Sequence, residues 1–131
     1  MDVICLDANV LFSASYSMAA TIRRLWDLPQ TELIAASYAR EEADRNLRTE
    51  WQRVELGRLM RSVRIIDYPA FTSLPDGVEL VEKDQPILLA AIHAGASHLL
   101  TGDLRHFGHL FGRRVSGVLI LPPAAYLRGR P

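Results

Sequence analysis

The sequence predicts an α/β domain built on a parallel sheet. Short apolar runs alternate along the chain with longer segments of helical periodicity, which is the pattern of successive strand–helix–strand units. The length of 131 residues fits one domain, 49% of the residues are hydrophobic, and no internal repeat or linker interrupts the chain. We therefore treat residues 1–131 as a single domain and expect residues 128–131 to form a frayed tail.

Five short aliphatic runs predict the strands. A continuous apolar run of this kind is typical of a strand that is buried on both faces of a sheet. The predicted strands are residues 3–6, 32–36, 63–68, 97–101 and 117–121.

Apolar residues at helical spacing predict helices between these strands. Ser37 and Asp84 are predicted N-caps, Pro86 is tolerated in a first helical turn, and Gly95 is a natural helix stop. Residues 69–81 contain two prolines and an Asp-Gly pair, which predict a loop. The predicted helices are residues 18–27, 37–49, 50–61, 87–94, 104–111 and 124–127.

Charge and cysteine content exclude several classes of protein. Fifteen basic residues balance fifteen acidic ones, so bulk charge does not indicate a nucleic-acid binder, and such a role needs local patches. The single cysteine, Cys5, cannot form a disulfide framework or a cysteine zinc site. The chain has no apolar stretch of membrane-spanning length and no signal-peptide pattern, so we expect a cytoplasmic protein without a membrane partner.

Acidic residues follow or flank the predicted strands at one end of the sheet. Asp7 and Asp103 come directly after the first and fourth strands, and ligand sites of open parallel sheets lie beyond such carboxyl ends. Asp84 opens the helix before the fourth strand, and Glu42 lies in the second turn of the helix after the second strand. If the first and fourth strands are neighbours, these carboxylates converge.

Clustered carboxylates indicate a cation. Like charges repel and raise each other's pKa, and oxygen ligands suit Mg²⁺ or Mn²⁺. One or two such ions can activate water and stabilise charge on a phosphoryl centre, so the residues predict metal-dependent phosphate chemistry. Taken singly, Asp7 and Asp84 also fit helix or turn caps, and Glu42 fits a solvated helix face. Glu41 and Asp44 are the neighbouring acids that serve as controls.

Four sequence blocks, in order, resemble the motifs of PIN-domain proteins. They are LDANVL at 6–11, Ser37 followed by EADRNL at 42–47, KDQPILLAA at 83–91 and HLLTGDLRHF at 98–107. Residues 117–127 are similar to the closing strand and helix of the family, so the resemblance covers essentially the whole chain. It implies a three-layer α/β/α fold with a five-stranded parallel sheet of order 3-2-1-4-5.

The resemblance also implies an activity. Many PIN domains are Mg²⁺- or Mn²⁺-dependent ribonucleases, and small single-domain VapC-like members are often the toxin of a toxin–antitoxin pair. Such a protein would have an RNA substrate and a cognate antitoxin, and the resemblance allows a homodimer. The family residues carried over are the catalytic and metal-site acids Asp7, Glu42, Asp84 and Asp103, with Asn9 and Thr101 as supporting polar groups.

One position departs from the family pattern. Many members carry a further Asp shortly before the third block, where this chain has Val81 with Glu82 beside it. The departure removes none of the four acids, and the role of Glu82 stays open.

Basic residues and histidine supply further candidates. Fourteen of the fifteen basic residues are arginines, which grip phosphate in a planar, bidentate manner, although composition bias explains the count equally well. His106 fits a polar residue on a short surface helix better than a phosphate contact. The apolar faces of the helices between residues 37 and 61 could form a groove for a partner. The arginines predicted to line an RNA groove are Arg23, Arg24, Arg45 and Arg48.

Two other functions compete with the nuclease. A degenerate PIN domain would bind RNA or protein without cleaving it. A phosphatase of the haloacid-dehalogenase type also places an Asp after its first strand. That chemistry needs a second Asp two residues later, where this chain has Asn9, and a downstream lysine, for which Lys83 is the sole candidate.

Overall fold

The computed structural model describes residues 1–70 and 72–130, which form a mixed sheet with helices packed against it. The strand order is β3-β2-β1-β4-β6-β5, and every neighbouring pair is parallel except β5 and β6. The strands are β1 (Asp2–Leu6), β2 (Thr31–Ala36), β3 (Val63–Ile66), β4 (His98–Leu100), β5 (Arg114–Val115) and β6 (Val118–Leu121).

The central strand β1 explains the continuous apolar run at the start of the chain. Ile4, Cys5 and Leu6 have no solvent exposure, and burial raises the pKa of the Cys5 thiol to about 12, so this cysteine is an unreactive core residue. On one side β1 pairs with β2 and on the other with β4, where Leu6 lies opposite Leu100. The strand order reverses between β1 and β4, which places a ligand crevice at their carboxyl ends.

The predicted parallel α/β fold is confirmed, and the five parallel strands have the predicted order. The strand count is corrected to six, because the two-residue strand β5 adds an antiparallel edge. Ser116 (φ 50°) and Gly117 (φ 84°) form the turn between β5 and β6, so β6 begins at Val118 rather than at residue 117. Positive φ at both central residues is typical of a two-residue hairpin loop.

Within residues 1–70 and 72–130, six α-helices and three 3-10 helices connect the strands. The 3-10 helices are Thr21–Asp27, Glu82–Asp84 and Gly108–Leu110. The α-helices are α1 (Ala8–Tyr16), α2 (Ser37–Asn46), α3 (Glu50–Met60), α4 (Gln85–His93), α5 (Leu104–Phe107) and α6 (Pro123–Arg128).

The first helix corrects the prediction of a helix at 18–27. Helix α1 starts directly after β1, because the Asp7 carboxylate accepts a hydrogen bond from the Ala8 amide at 2.6 Å and caps the first turn. Val10, Leu11 and Ala14 are its buried face. Residues 21–27 form a 3-10 helix instead, with Leu25 buried.

Helix α2 begins and ends differently from its prediction. Ser37 is the first helical residue rather than the N-cap, and its hydroxyl donates to the Asp67 carboxylate at 2.9 Å. The helix ends at Asn46 rather than at residue 49, because residue 49 is already the N-cap of the next helix, α3. The Thr49 hydroxyl accepts from the Gln52 amide at 3.1 Å, and the Gln52 side chain accepts from the Thr49 amide at 3.2 Å, which forms a capping box.

The predicted cap at Asp84 is also corrected. Asp84 ends the 3-10 helix Glu82–Asp84, and its side chain makes no capping hydrogen bond to α4. Pro86 lies in the first turn of α4, as predicted, and Gly95 follows the helix with φ 67°. The predicted helix at 104–111 is divided into the four-residue α5 and a 3-10 helix.

The predicted frayed tail lies partly outside the described residues, which end at 130. Arg128 closes α6, so it is helical. The Arg130 guanidinium donates to the Asp2 carboxylate and lies over the Tyr126 ring, 4.9 Å from its centroid. The expectation of fraying therefore does not hold for Arg130, because this side chain is tied to the first residue of β1.

Candidate metal centre

A single cavity of about 400 Å³ collects the predicted acids. Asp7, Glu42, Asp84 and Asp103 all line it. The control acids Glu41 and Asp44 are exposed on the outer surface of α2. The sequence blocks that carry these four acids are far apart in the chain, so the fold itself brings the carboxylates together.

The strand register explains how they meet. Leu6 pairs with Leu100, and the Asp7 amide donates to the Leu100 carbonyl at 3.1 Å, so the residues after β1 and β4 lie side by side. Helix α2 starts at the carboxyl end of β2 and carries Glu42 over the same edge. Asp84 arrives from the turn that precedes α4.

Asp7 is buried and surrounded by neutral donors. It is 4% exposed, its Oδ1 accepts from the Ala8 amide, and its Oδ2 accepts from the Thr101 hydroxyl at 2.7 Å and from Asn9 Nδ2 at 3.2 Å. Burial raises its pKa from 3.8 to about 6. The hydrogen bonds from Thr101 and Ala8 oppose this rise, and the charges of Asp84 and Glu42 add to it.

Asn9 and Thr101 connect the ends of β1 and β4. The Thr101 hydroxyl has no solvent exposure, donates to Asp7 and accepts from the Asp103 amide at 3.1 Å. Asn9 Oδ1 accepts from the Gly102 amide at 2.8 Å, and a Cβ at Gly102 would lie 3.4 Å from that oxygen. These two side chains therefore fix the position of Asp7 relative to Asp103.

His106 belongs to the acidic cluster, which the sequence did not indicate. Its Nδ1 lies 2.8 Å from Asp84 Oδ2 and 3.0 Å from Asp103 Oδ2. Asp103 Oδ1 accepts from the His106 amide at 3.0 Å and so caps α5. One helical turn thus presents the carboxylate and the imidazole to the same space. The expectation of a surface residue on this helix is corrected, because the His106 side chain is only 23% exposed.

The donor set fits a divalent cation. Asp84 is nine-tenths buried, with 9% exposure, and its Oδ2 has no hydrogen-bond partner within residues 1–70 and 72–130. Buried polar atoms normally have hydrogen-bond partners, and a buried ionised carboxylate also needs a positive charge nearby. This oxygen of Asp84 has no hydrogen-bond partner among the described residues, so a bound cation would stabilise it. Three further carboxylates around the same cavity supply oxygen ligands of the kind that Mg²⁺ and Mn²⁺ prefer.

The cavity also has residues that the sequence analysis did not assign to it. Phe12 and Asn46 line it, and Asn46 Nδ2 donates to the Glu42 carbonyl at 3.0 Å. The spacing of four residues between Glu42 and Asn46 on one helix was the available signal. Lys83 is also part of the lining, so the acidic wall faces a basic group.

The four predicted RNA-binding arginines are dispersed by the fold. Arg23 is a structural residue, since its Nε donates to the Ala14 carbonyl at 2.8 Å and its Nη1 to Glu55 at 2.8 Å. Arg24 donates to the Arg130 carbonyl at 3.0 Å. Arg45 is exposed on α2, and Arg48 lines the cavity. Of the four, Arg48 lines the acidic cavity and Arg23 is engaged by protein acceptors, and RNA binding by these arginines stays a prediction.

Comparisons with known proteins show the class of fold. No family model matches the chain, and no curated protein matches it significantly. A chain of VapBC2 from Rickettsia felis, in a crystal structure with a DNA fragment from its promoter, superposes with a TM-score of 0.67 at 15% identity over 92% of this chain and 98% of its own. A chain of VapBC-1 from nontypeable Haemophilus influenzae gives 0.60 at 15% identity, over 93% and 98%.

The described residues thus have a PIN-like α/β fold, and the acidic cavity lies at the carboxyl ends of β1 and β4. Within that class, the resemblance to VapC-like proteins is confirmed at the level of the fold by the two VapBC structures. Among the described residues, every helix is too short or too polar to cross a membrane.

Proposed function

We propose that the protein is a divalent-metal-dependent endoribonuclease that hydrolyses RNA phosphodiester bonds. The observation that carries the proposal is the convergence of Asp7, Glu42, Asp84 and Asp103 on one cavity. Mutual repulsion makes such an arrangement unfavourable without a cation, and Mg²⁺ or Mn²⁺ is the cation that carboxylates suit. The raised pKa of Asp7 supports the same conclusion, because it reflects a buried carboxylate without a cationic partner.

The side chains have separate tasks in this proposal. Asp7, Asp84 and Asp103 would hold one or two ions, and Glu42 would complete the ligand set or orient the attacking water. A bound divalent cation polarises a phosphoryl oxygen and lowers the pKa of water. Asn9 and Thr101 keep Asp7 in position through the hydrogen bonds described above.

Basic residues at the cavity give the substrate a place to bind. Lys83 and Arg48 line the same cavity as the acids and would contact the phosphates that flank the cleaved bond. Arg45, exposed one turn after Glu42, would extend this contact along α2. With RNA as the substrate, we propose that the activity takes place in the cytoplasm.

We also propose that the protein is the toxin of a toxin–antitoxin pair. Two solved structures that share its fold are VapBC complexes, which supports a protein partner for this chain. Helix α3 offers apolar surface for one, since Trp51 is 46% exposed and Val54 is 60% exposed three residues further along the same face. We also propose that the chain can form a homodimer. Analytical ultracentrifugation of the isolated chain tests this by measuring its sedimentation.

A cleavage assay with a matched pair of variants tests the nuclease. The wild type is expected to cut some single-stranded RNA in Mn²⁺, and a chelator should stop the reaction. Asp103→Asn should lower the rate at least about a hundredfold, as removal of a charge-stabilising group does. Asp44→Asn, on the exposed face of α2, should change the rate little.

The remaining outcomes favour the alternatives. Tight RNA binding without cleavage, across many sequences and in both metals, would identify a non-cutting binder. A phosphorylated Asp7 trapped during turnover of a phosphate ester would identify a phosphatase. For the toxin, expression alone should slow growth, and co-expression of a small antitoxin encoded by an adjacent gene should restore it.

A further inference from the structure

Among the described residues, His106 is the histidine whose imidazole lies in close contact with the acidic cluster. Its Nδ1 lies 2.8 Å from Asp84 Oδ2 and 3.0 Å from Asp103 Oδ2. Among the histidine, cysteine and acidic side chains of residues 1–70 and 72–130, these three alone place their ligand atoms within 4.8 Å of one another. The close contact therefore involves one nitrogen and two oxygens rather than carboxylates alone.

The contact is not a satisfied hydrogen bond. Nδ1 of His106 and Oδ2 of Asp84 are both shielded from solvent, and neither has a partner of hydrogen-bond geometry in the described part of the chain. The atoms are close, but their arrangement does not have the geometry of a hydrogen bond. Two ligands at right angles around one ion at roughly 2.1 Å lie about 3 Å apart, which is the spacing observed among these atoms.

The backbone holds His106 in this position independently of any ion. Its amide donates to Asp103 Oδ1 at 3.0 Å, so the histidine and the carboxylate are fixed on the same turn of α5. The next residue, Phe107, has no solvent exposure and anchors the helix in the core. Asp103 and His106 therefore face the cavity as a preformed pair, and Asp84 approaches them from the turn before α4.

We propose that Nδ1 of His106 is a nitrogen ligand of the ion held by Asp84 and Asp103, and that it makes the site select a first-row transition ion such as Mn²⁺ over Mg²⁺. Mg²⁺ takes oxygen ligands almost exclusively, whereas imidazole binds transition ions well. A neutral imidazole with its proton on Nε2 provides the lone pair. This inference rests on the metal site of the proposed function and assigns that site its preferred ion.

Pulsed electron paramagnetic resonance of bound Mn²⁺ tests the proposal without an activity measurement. Protein labelled with ¹⁵N only in histidine is expected to show ¹⁵N coupling to Mn²⁺, in place of the ¹⁴N coupling of unlabelled protein. The coupling should vanish in His106→Asn and persist in His93→Asn. His93 ends α4 and lies about 13 Å along the helix axis from the end that carries Asp84.

Calorimetric titration gives the matching affinities. His106→Asn is expected to weaken Mn²⁺ binding by about tenfold or more and Mg²⁺ binding by less than about threefold. Mn²⁺ bound without nitrogen coupling would overturn the role of His106 and leave the proposed nuclease site intact. Failure of both ions to bind the wild type would overturn the metal site itself. If His106→Asn does not fold, the labelled wild type still decides the question.

Discussion

Two buried carboxylates in this protein have opposite acid–base behaviour. Asp7, at the carboxyl end of β1, is 4% exposed and has a pKa raised to about 6. Glu55, on α3, is 7% exposed and has a pKa lowered to about 2. Burial is the main cause of the raised pKa of Asp7, whereas hydrogen bonds from Arg58 and Arg23 are the main cause of the lowered pKa of Glu55. Asp7 receives neutral donors, whereas Glu55 receives the guanidinium groups of Arg23 and Arg58.

The two carboxylates therefore belong to two kinds of cluster: Glu55 has cationic partners within the protein, and Asp7 has none in the described part of the chain. Glu55 pairs with the guanidinium groups of Arg23 and Arg58. The pair with Arg23 connects α3 to the segment after α1, where Arg23 also donates to the Ala14 carbonyl. Among the described residues, the hydrogen bonds that Asp7 accepts come only from the neutral groups of Ala8, Asn9 and Thr101. A buried carboxylate without a cationic partner destabilises the fold, which is why the proposed function assigns a bound cation to this cluster.

The largest effect is expected from breaking the completed cluster. Glu55→Ala leaves the Arg23 guanidinium, 14% exposed, without its carboxylate, and removal of one partner of a buried pair costs about 4 kcal/mol. Chemical denaturation at pH 7 should show this loss in the free energy of unfolding. RNA cleavage by the folded variant should stay near the wild-type rate, because Glu55 does not line the acidic cavity.

Glu41→Ala is the matched control, because Glu41 is an exposed acid on α2. Its unfolding free energy should lie within about 0.5 kcal/mol of the wild type. Equal stability of Glu55→Ala and Glu41→Ala would remove the structural half of the comparison.

The next effect concerns pH and has the opposite sign for the two acids. The folded-state pKa of Asp7 is above its ordinary value of 3.8, so the folded protein binds this proton more tightly than the unfolded chain. Its contribution to stability is therefore lost as pH rises from about 4 through 6, by about 3 kcal/mol in total. Glu55 stabilises the fold above its ordinary pKa of 4.5, and that contribution is lost as pH falls toward 2.

Asp7→Asn isolates the first of these windows. At pH 8 the variant should be more stable than the metal-free wild type by about 2 kcal/mol, after about 1 kcal/mol is lost with the hydrogen bond from Asn9. At pH 4 the two proteins should differ by less than about 1 kcal/mol. Mn²⁺ should stabilise the wild type and not the variant. A variant that is less stable at pH 8, with its Mn²⁺ response intact, would contradict the site.

The sequence predicted the four acids because each lies at a position that topology controls. Asp7 and Asp103 follow β1 and β4. The register of those strands brings the two residues together independently of side-chain conformation. Asp7 caps α1 and Asp103 caps α5 while both line the cavity, so their capping does not exclude the predicted ligand role. Asp84, the acid predicted as a cap, makes no capping bond.

The errors came from contacts that depend on tertiary structure. Helix α1 was missed because Ala8–Tyr16 mixes small, polar and apolar residues, and its buried face becomes visible only against α2 and α3. The sequence around Arg23 gives no signal of its structural role, because its partner Glu55 lies 32 residues away in the chain. His106 likewise depends on Asp84, whose distance in sequence gives no local signal.

The smallest effect sharpens the comparison at the level of the arginines. Arg48 lines the acidic cavity, whereas Arg40 is exposed on α2. In an Asp103→Asn background, which keeps the RNA intact, Arg48→Gln should weaken binding of single-stranded RNA by about 1 kcal/mol, or about fivefold. Loss of one phosphate contact should also reduce the dependence of log K on log salt by about 0.7. Arg40→Gln should change neither quantity. An unchanged salt dependence in Arg48→Gln would mean that RNA does not reach this side of the cavity, and the unneutralised acids would then need a different substrate.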